Sequence, residues 1–245
     1  MSLKHWQAVH SSLTGAILLI GVLQVSAAAP LLVVSAPISF VVLAYLSRAE
    51  LGRARLANAL TASRLFAVLS VLTWHWSRQG QVNPAWLAIA ILVQAEITDY
   101  FDGRAARRGP PTRFGATFDM EVDAYVTAAL ALQAVLYRQA PGWLLVAGLW
   151  RYVYALWEAA LTGRWRRTGR TLPCEVNMPS WSRWQAKTIC VVSVIGLVGL
   201  TLPELAAPLV RALSLGVVSL LSYSFITGTV LLLRRGALRA EPKLN

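Results

Sequence analysis

Long apolar runs separated by short basic stretches set the plan of this chain: Ser12–Ala28, Leu31–Leu46, Leu60–Trp76, Pro84–Phe101, Gly115–Leu136, Gly142–Leu161, Ala186–Leu202 and Ala206–Leu233. Most approach the roughly 20 apolar residues that carry a helix across a bilayer. No alternation of period two persists for useful length, and hydrocarbon leaves backbone groups no partners outside helices and closed barrels. The pattern predicts an all-α, polytopic membrane protein. Its first two spans form an N-terminal pair over residues 1–47, with a tight turn at Ala29 and Pro30, and with Pro30 and Pro37 starting and bending the second span. Residues 1–30 also have the layout of a signal peptide, with Lys4 and His5, an apolar segment, then Ala27 to Ala29; we read the stretch as a retained first span. Arg48, Arg53 and Arg55 alternate with Leu51 and Leu56, which predicts an amphipathic helix on the membrane surface over 48–57. A six-helix core over 58–233 and a basic tail over 234–245 complete the plan.

Composition fixes the class. With 56% hydrophobic and 14% charged residues and a mean hydropathy of +0.54, the chain is unlike soluble domains, whose charged share is near 25%. The net charge of +12 does not point to nucleic acid, because the basic residues fall between apolar runs and not on one surface. With the N-terminus placed in the cytoplasm, 17 Lys and Arg fall on that side and only Arg78 and Arg138 on the other. This positive-inside bias directs both termini to the cytoplasm, in what we expect to be a bacterial inner membrane. Cys174 and Cys190 have no CxxC or His pairing and suggest neither a disulfide framework nor zinc. The tryptophans, most near span ends, read as an interfacial belt.

Against this background, residues 99–123 stand out. Asp99 and Asp102 are three apart, and Asp119 and Asp123 four apart, so each pair shares one face of a helix. Four carboxylates gathered from two neighbouring helices would repel too strongly to bury unless cations sat between them.

The run D99-x-x-D102-G103-x-x-A106-R107, followed by G115-x-x-x-D119-x-x-x-D123, resembles the signature of the CDP-alcohol phosphotransferases, membrane enzymes of phospholipid synthesis. Asn58, Thr61 and Arg64, on one helix face, are similar to that family's N-x-x-T-x-x-R element near the nucleotide's phosphates. Lys187 and Thr188 are similar to its G-K-x-x-T segment, although Ala186 stands where glycine is usual. The link from Arg107 to Gly115 is a residue shorter than the family pattern, which implies an altered cradle geometry. The resemblance spans about residues 58–233 and leaves out the first two helices.

What the resemblance implies is transfer of a phosphatidyl or related group from a CDP-linked donor, CDP-diacylglycerol by analogy, to a small polar alcohol with release of CMP. Two divalent ions, Mg²⁺ or Mn²⁺, fit hard carboxylate ligands. Asp99, Asp102 and Asp119 are the expected metal ligands, and Asp123 the general base and a ligand for the second ion. Asn58, Thr61, Arg64, Gly103, Ala106, Arg107, Gly115 and Lys187 are expected to cradle the nucleotide, the glycines by close approach and the arginines by planar forks to phosphate. Membrane lipids are the expected surroundings, and a homodimer the candidate assembly.

Arg151 and Glu158 also lie within a span. Arg151 is a candidate for reading a charged group on the acceptor, the competing reading being an interhelical pair with a carboxylate such as Glu96. Glu121 should point away from the aspartate face. Rival functions are an aspartate-rich prenyltransferase, which would need acidic motifs farther apart than Asp102 and Asp119, and a cation transporter or silent scaffold, which needs no nucleotide cradle.

Overall fold

The computed structural model describes residues 3–48, 50, 55–77, 89–90, 94, 112–136, 140–167, 180–202 and 205–238. Among these residues the fold is all-α, with seven α-helices: α1 (Leu3–Leu23), α2 (Val25–Leu46), α3 (Arg55–Ser77), α4 (Arg113–Leu136), α5 (Val146–Arg167, preceded by a 3₁₀ turn at Gly142–Leu145), α6 (Ser180–Gly199) and α7 (Ala207–Leu238). Four stretches are long and apolar enough to cross a membrane: Leu3–Leu23, Val25–Leu46, Gly142–Leu161 and Ala207–Leu231. Their outward faces carry exposed Leu13, Leu19, Val34, Ile38, Val41, Leu215 and Ile226. Such apolar exteriors are stable in lipid and costly in water. This is a polytopic membrane protein.

α4 is the axis of the bundle. It packs against α2, α3, α5 and α6, and residues 124–135 are buried on every side of the helix. A helix apolar all round belongs at the centre. Ala128, Ala129, Ala131 and Ala134 keep its girth small, so neighbouring backbones come close. The tightest approach is at Gly148 of α5, where a Cβ would lie 2.7 Å from Ala128 Cα. Only glycine fits there.

α1 and α2 form an antiparallel hairpin joined at Gln24. The indole of Trp6 donates to the Ser39 carbonyl at 2.9 Å, and Ser39 Oγ lies 2.8 Å from His10 Nδ1. Trp6 stacks on His10, and both pack against Phe40. These aromatic contacts explain why α1 starts at Leu3 and not at Ser12. The turn expected at Ala29 and Pro30 is absent: the break comes at Gln24, and Pro30 and Pro37 lie inside α2. Buried Ala28, Ala29, Leu32 and Ala36 hold that helix through both prolines, so packing outweighs the lost backbone hydrogen bonds.

The surface helix expected over 48–57 lies partly outside the described residues, and residues 55–57 belong to α3. The run Pro84–Phe101, apart from residues 89–90 and 94, and the segment 171–179 lie outside them as well.

Candidate functional site: the open face of α4

The N-terminus of α4 is capped from two directions. Thr112 Oγ1 accepts from the Gly115 N–H at 3.0 Å, and the Glu50 carboxylate accepts from the Phe114 N–H at 3.0 Å. Both satisfy amides that have no partner within the helix, and the carboxylate also complements the helix dipole. One turn further in, α4 presents Asp119, and one turn beyond that Asp123.

α3 lies alongside and supplies the opposite wall. Asn58, Thr61 and Arg64 recur every three residues on one face, and all three are buried. Asn58 Oδ1 stands 3.4 Å from where a Cβ on Gly115 would lie. Thr61 Oγ1 donates to Asp119 Oδ1 at 3.5 Å and to the Ala57 carbonyl at 3.2 Å. Arg64 donates through Nη2 to Asp119 Oδ1 and through Nη1 to Asp123 Oδ1, the latter at 2.7 Å. Contacts that advance in step along both helices mean that α3 and α4 run parallel here.

One guanidinium thus spans both carboxylates. Arg64 is 4% exposed, whereas the Asp119 and Asp123 side chains are 39% and 45% exposed. The bridge is sealed on the α3 side and open on the other. Both carboxylates keep exposed surface at the opening, where two negative charges attract a cation. The two acids offer hard oxygen donors, which suit a hard divalent cation. Asn58 Nδ2 is buried with no hydrogen-bond partner among the described residues, and the bare Gly115 backbone lies beside this amide. An unused donor next to a surface without a side chain suits a phosphate oxygen. The residues present therefore fit both a metal and a nucleotide.

Asp99, Asp102, Gly103, Ala106 and Arg107 lie outside the described residues. Among those described, no group of three or more His, Cys, Asp or Glu is placed to hold a metal ion. Lys187 stands exposed on α6, a helix that packs against α4. Arg151, considered above as a reader of the acceptor, donates through Nη2 to Glu121 Oε1 at 2.8 Å and contacts Met120 Sδ at 2.8 Å. Its partner is a carboxylate of α4; Glu96 lies outside the described residues.

Two participants escaped the sequence reading. Thr112 had a local signal, since it precedes Gly115 by three residues in capping register. Glu50 had none, because its target lies 64 residues away.

A family model described as CDP-alcohol phosphatidyltransferase matches residues 54–230, well over half of the chain. No curated protein and no solved structure matches. The match begins just ahead of α3 and leaves α1 and α2 outside it.

Proposed function

Because this chain belongs to the CDP-alcohol phosphatidyltransferase family, whose members transfer a phosphatidyl group from a CDP-alcohol to an acceptor and generally use divalent metal ions, we propose that it transfers the phosphatidyl group of CDP-diacylglycerol to a small polar alcohol and releases CMP. The observation that carries this reading is the pair of open carboxylates, Asp119 and Asp123, bridged from behind by Arg64.

In this reading Asp99, Asp102 and Asp119 hold the divalent cations, Mg²⁺ or Mn²⁺, with Asp123 as an additional ligand. When bound, the ions neutralise the pyrophosphate and make the phosphorus more electrophilic. Asn58 and Thr61, with the backbone at Gly115, line the place for the cytidine phosphates, and Gly103, Ala106, Arg107 and Lys187 complete it. Arg64 sets the orientation of both aspartates. A carboxylate whose orientation is fixed through one oxygen can take a proton without swinging. Asp123 accepts the proton of the attacking hydroxyl, a new P–O bond forms to the alcohol oxygen, and the bond to the CMP oxygen breaks. We place the site on the cytoplasmic side of a bacterial inner membrane, where CTP-derived donors are made.

The test is release of CMP from CDP-diacylglycerol by the purified protein, with Mg²⁺ or Mn²⁺ and a panel of alcohols. Release that depends on one alcohol and on the metal is expected. Its absence with every alcohol and both metals, from folded protein, would refute the reading.

A further inference from the structure

Glu121 sits between Asp119 and Asp123 in sequence, yet at 100° per residue it projects from the opposite side of α4. Its side chain is fully buried, at 0% exposure. Oε1 accepts from Arg151 Nη2 at 2.8 Å and from Gln7 Nε2 at 3.1 Å. Oε2 lies 3.9 Å from His10 Nε2. A carboxylate taken wholly out of solvent persists only where donors converge on it. Here they come from two helices, α5 and α1. His10 is tied to Ser39 of α2 and lies beside the carboxylate without a hydrogen bond to it.

Gln7, His10 and Ser39 lie in the hairpin outside the family match. The hairpin is therefore fastened to the helix that carries the open aspartates, from behind and through a charge. α4 is gripped on two sides, by Arg64 of α3 in front and by Arg151 and Gln7 at the back. Rotation of α4 about its axis, which would turn Asp119 and Asp123 away from Arg64, would pull Glu121 out of its donors.

We propose that Glu121 is a positioning residue for the transfer reaction: its buried carboxylate, held by Arg151 and Gln7, locks the rotation of α4 and makes the N-terminal hairpin part of the catalytic apparatus. The inference rests on the transferase reading above. It assigns the two helices outside the family match a task, that of bracing the carboxylate helix.

The test combines turnover and distance measurements on the full-length protein. Glu121→Gln leaves Arg151 without a counter-charge and is expected to lower kcat about tenfold or more, with the KM for CDP-diacylglycerol changed less than about threefold. Adding Arg151→Gln removes the charges as a pair, and kcat is expected to recover to within about threefold of wild type. Gln7→Leu, the mildest change, is expected to lower kcat a few-fold at an unchanged thermal midpoint. In parallel, spin labels at Leu13 on α1 and Ala116 on α4 are expected to give a single narrow distance in the otherwise unaltered chain and a broadened one with Glu121→Gln. Wild-type kcat in folded Glu121→Gln, or no recovery in the double variant, would overturn the proposal. So would a spin-label distance that does not respond. Should Glu121→Gln fail to fold, Gln7→Leu decides, and wild-type kcat there overturns the proposal. Should the wild type release no CMP at all, the transferase reading fails and the positioning role falls with it, while the spin labels still report whether the brace exists.

Discussion

The two faces of α4 use the same chemistry to opposite ends. In front, Arg64 bonds Asp123 at 2.7 Å with the carboxylate 45% exposed; behind, Arg151 bonds Glu121 at 2.8 Å with the carboxylate 0% exposed. The bond lengths are nearly equal, and what sets the pairs apart is the exposure of the carboxylates and the company each arginine keeps, two acids in front and one behind. In front only the carboxylates are open, so a further cation can approach them beside the buried guanidinium. A sealed pair cannot exchange, and loss of one partner strands a charge in low dielectric. The lesson is that the front acids stay able to receive a cation while the closed pair is shut off from any exchange.

Variants should separate the faces by what they damage. Asp119→Asn, on the open side, is expected to lower turnover by roughly a thousandfold, about 4 kcal/mol in the barrier, while the thermal midpoint stays near wild type; calorimetry beside the CMP assay reads both. Arg151→Ala, on the closed side, should do the reverse in stability, destabilising the fold by about 3 kcal/mol as a stranded carboxylate demands, read as an earlier thermal unfolding in detergent. Were the two variants to behave alike, the contrast between the faces would be lost. Asp123→Asn is expected to cost about a hundredfold in kcat and far less in donor KM; equal losses would make it a ligand and not the base. Gly148→Ala tests the axis itself, because the new Cβ would meet the Ala128 backbone. It should cost about 1–3 kcal/mol of stability. The smallest effect belongs to Gly115→Ala. Its Cβ would come 2.9 Å from Thr112 Oγ1, a side chain able to turn, and 3.4 Å from Asn58 Oδ1. A few-fold rise in donor KM at unchanged stability is expected.

Much of the front face could be read directly from the residues. Helical spacing alone put Asn58, Thr61 and Arg64 on one stripe and Asp119 with Asp123 on another, because period and spacing are local properties. Their meeting was implied by the family resemblance, and the structure brings these five side chains together. Of the back face only the direction of Glu121, away from the aspartates, was legible; its partners were not. Nothing near Gln7 or His10 announces a partner 114 or 111 residues away, and an isolated Glu121 gives no hint of how many donors will converge on it. The misplaced first turn has a related cause: Ala29 and Pro30 are a sound local stop signal, and contacts from Ala28, Leu32 and Ala36 override it. Arg151 was legible as an intramembrane charge that needs a partner, but which carboxylate it takes depends on how α4 and α5 are rotated against each other.

The reach of the Gln7 to Glu121 hydrogen bond also orders events during synthesis. Gln7 leaves the ribosome before Glu121, and at about 5–20 residues per second this acceptor follows roughly 6 to 23 seconds later. For that interval Gln7 travels in the nascent chain without the carboxylate that will hold it. Closure of the brace is therefore a late step in biogenesis, and a truncated chain ending before α4 would carry the Gln7 amide without the acceptor it meets in the fold.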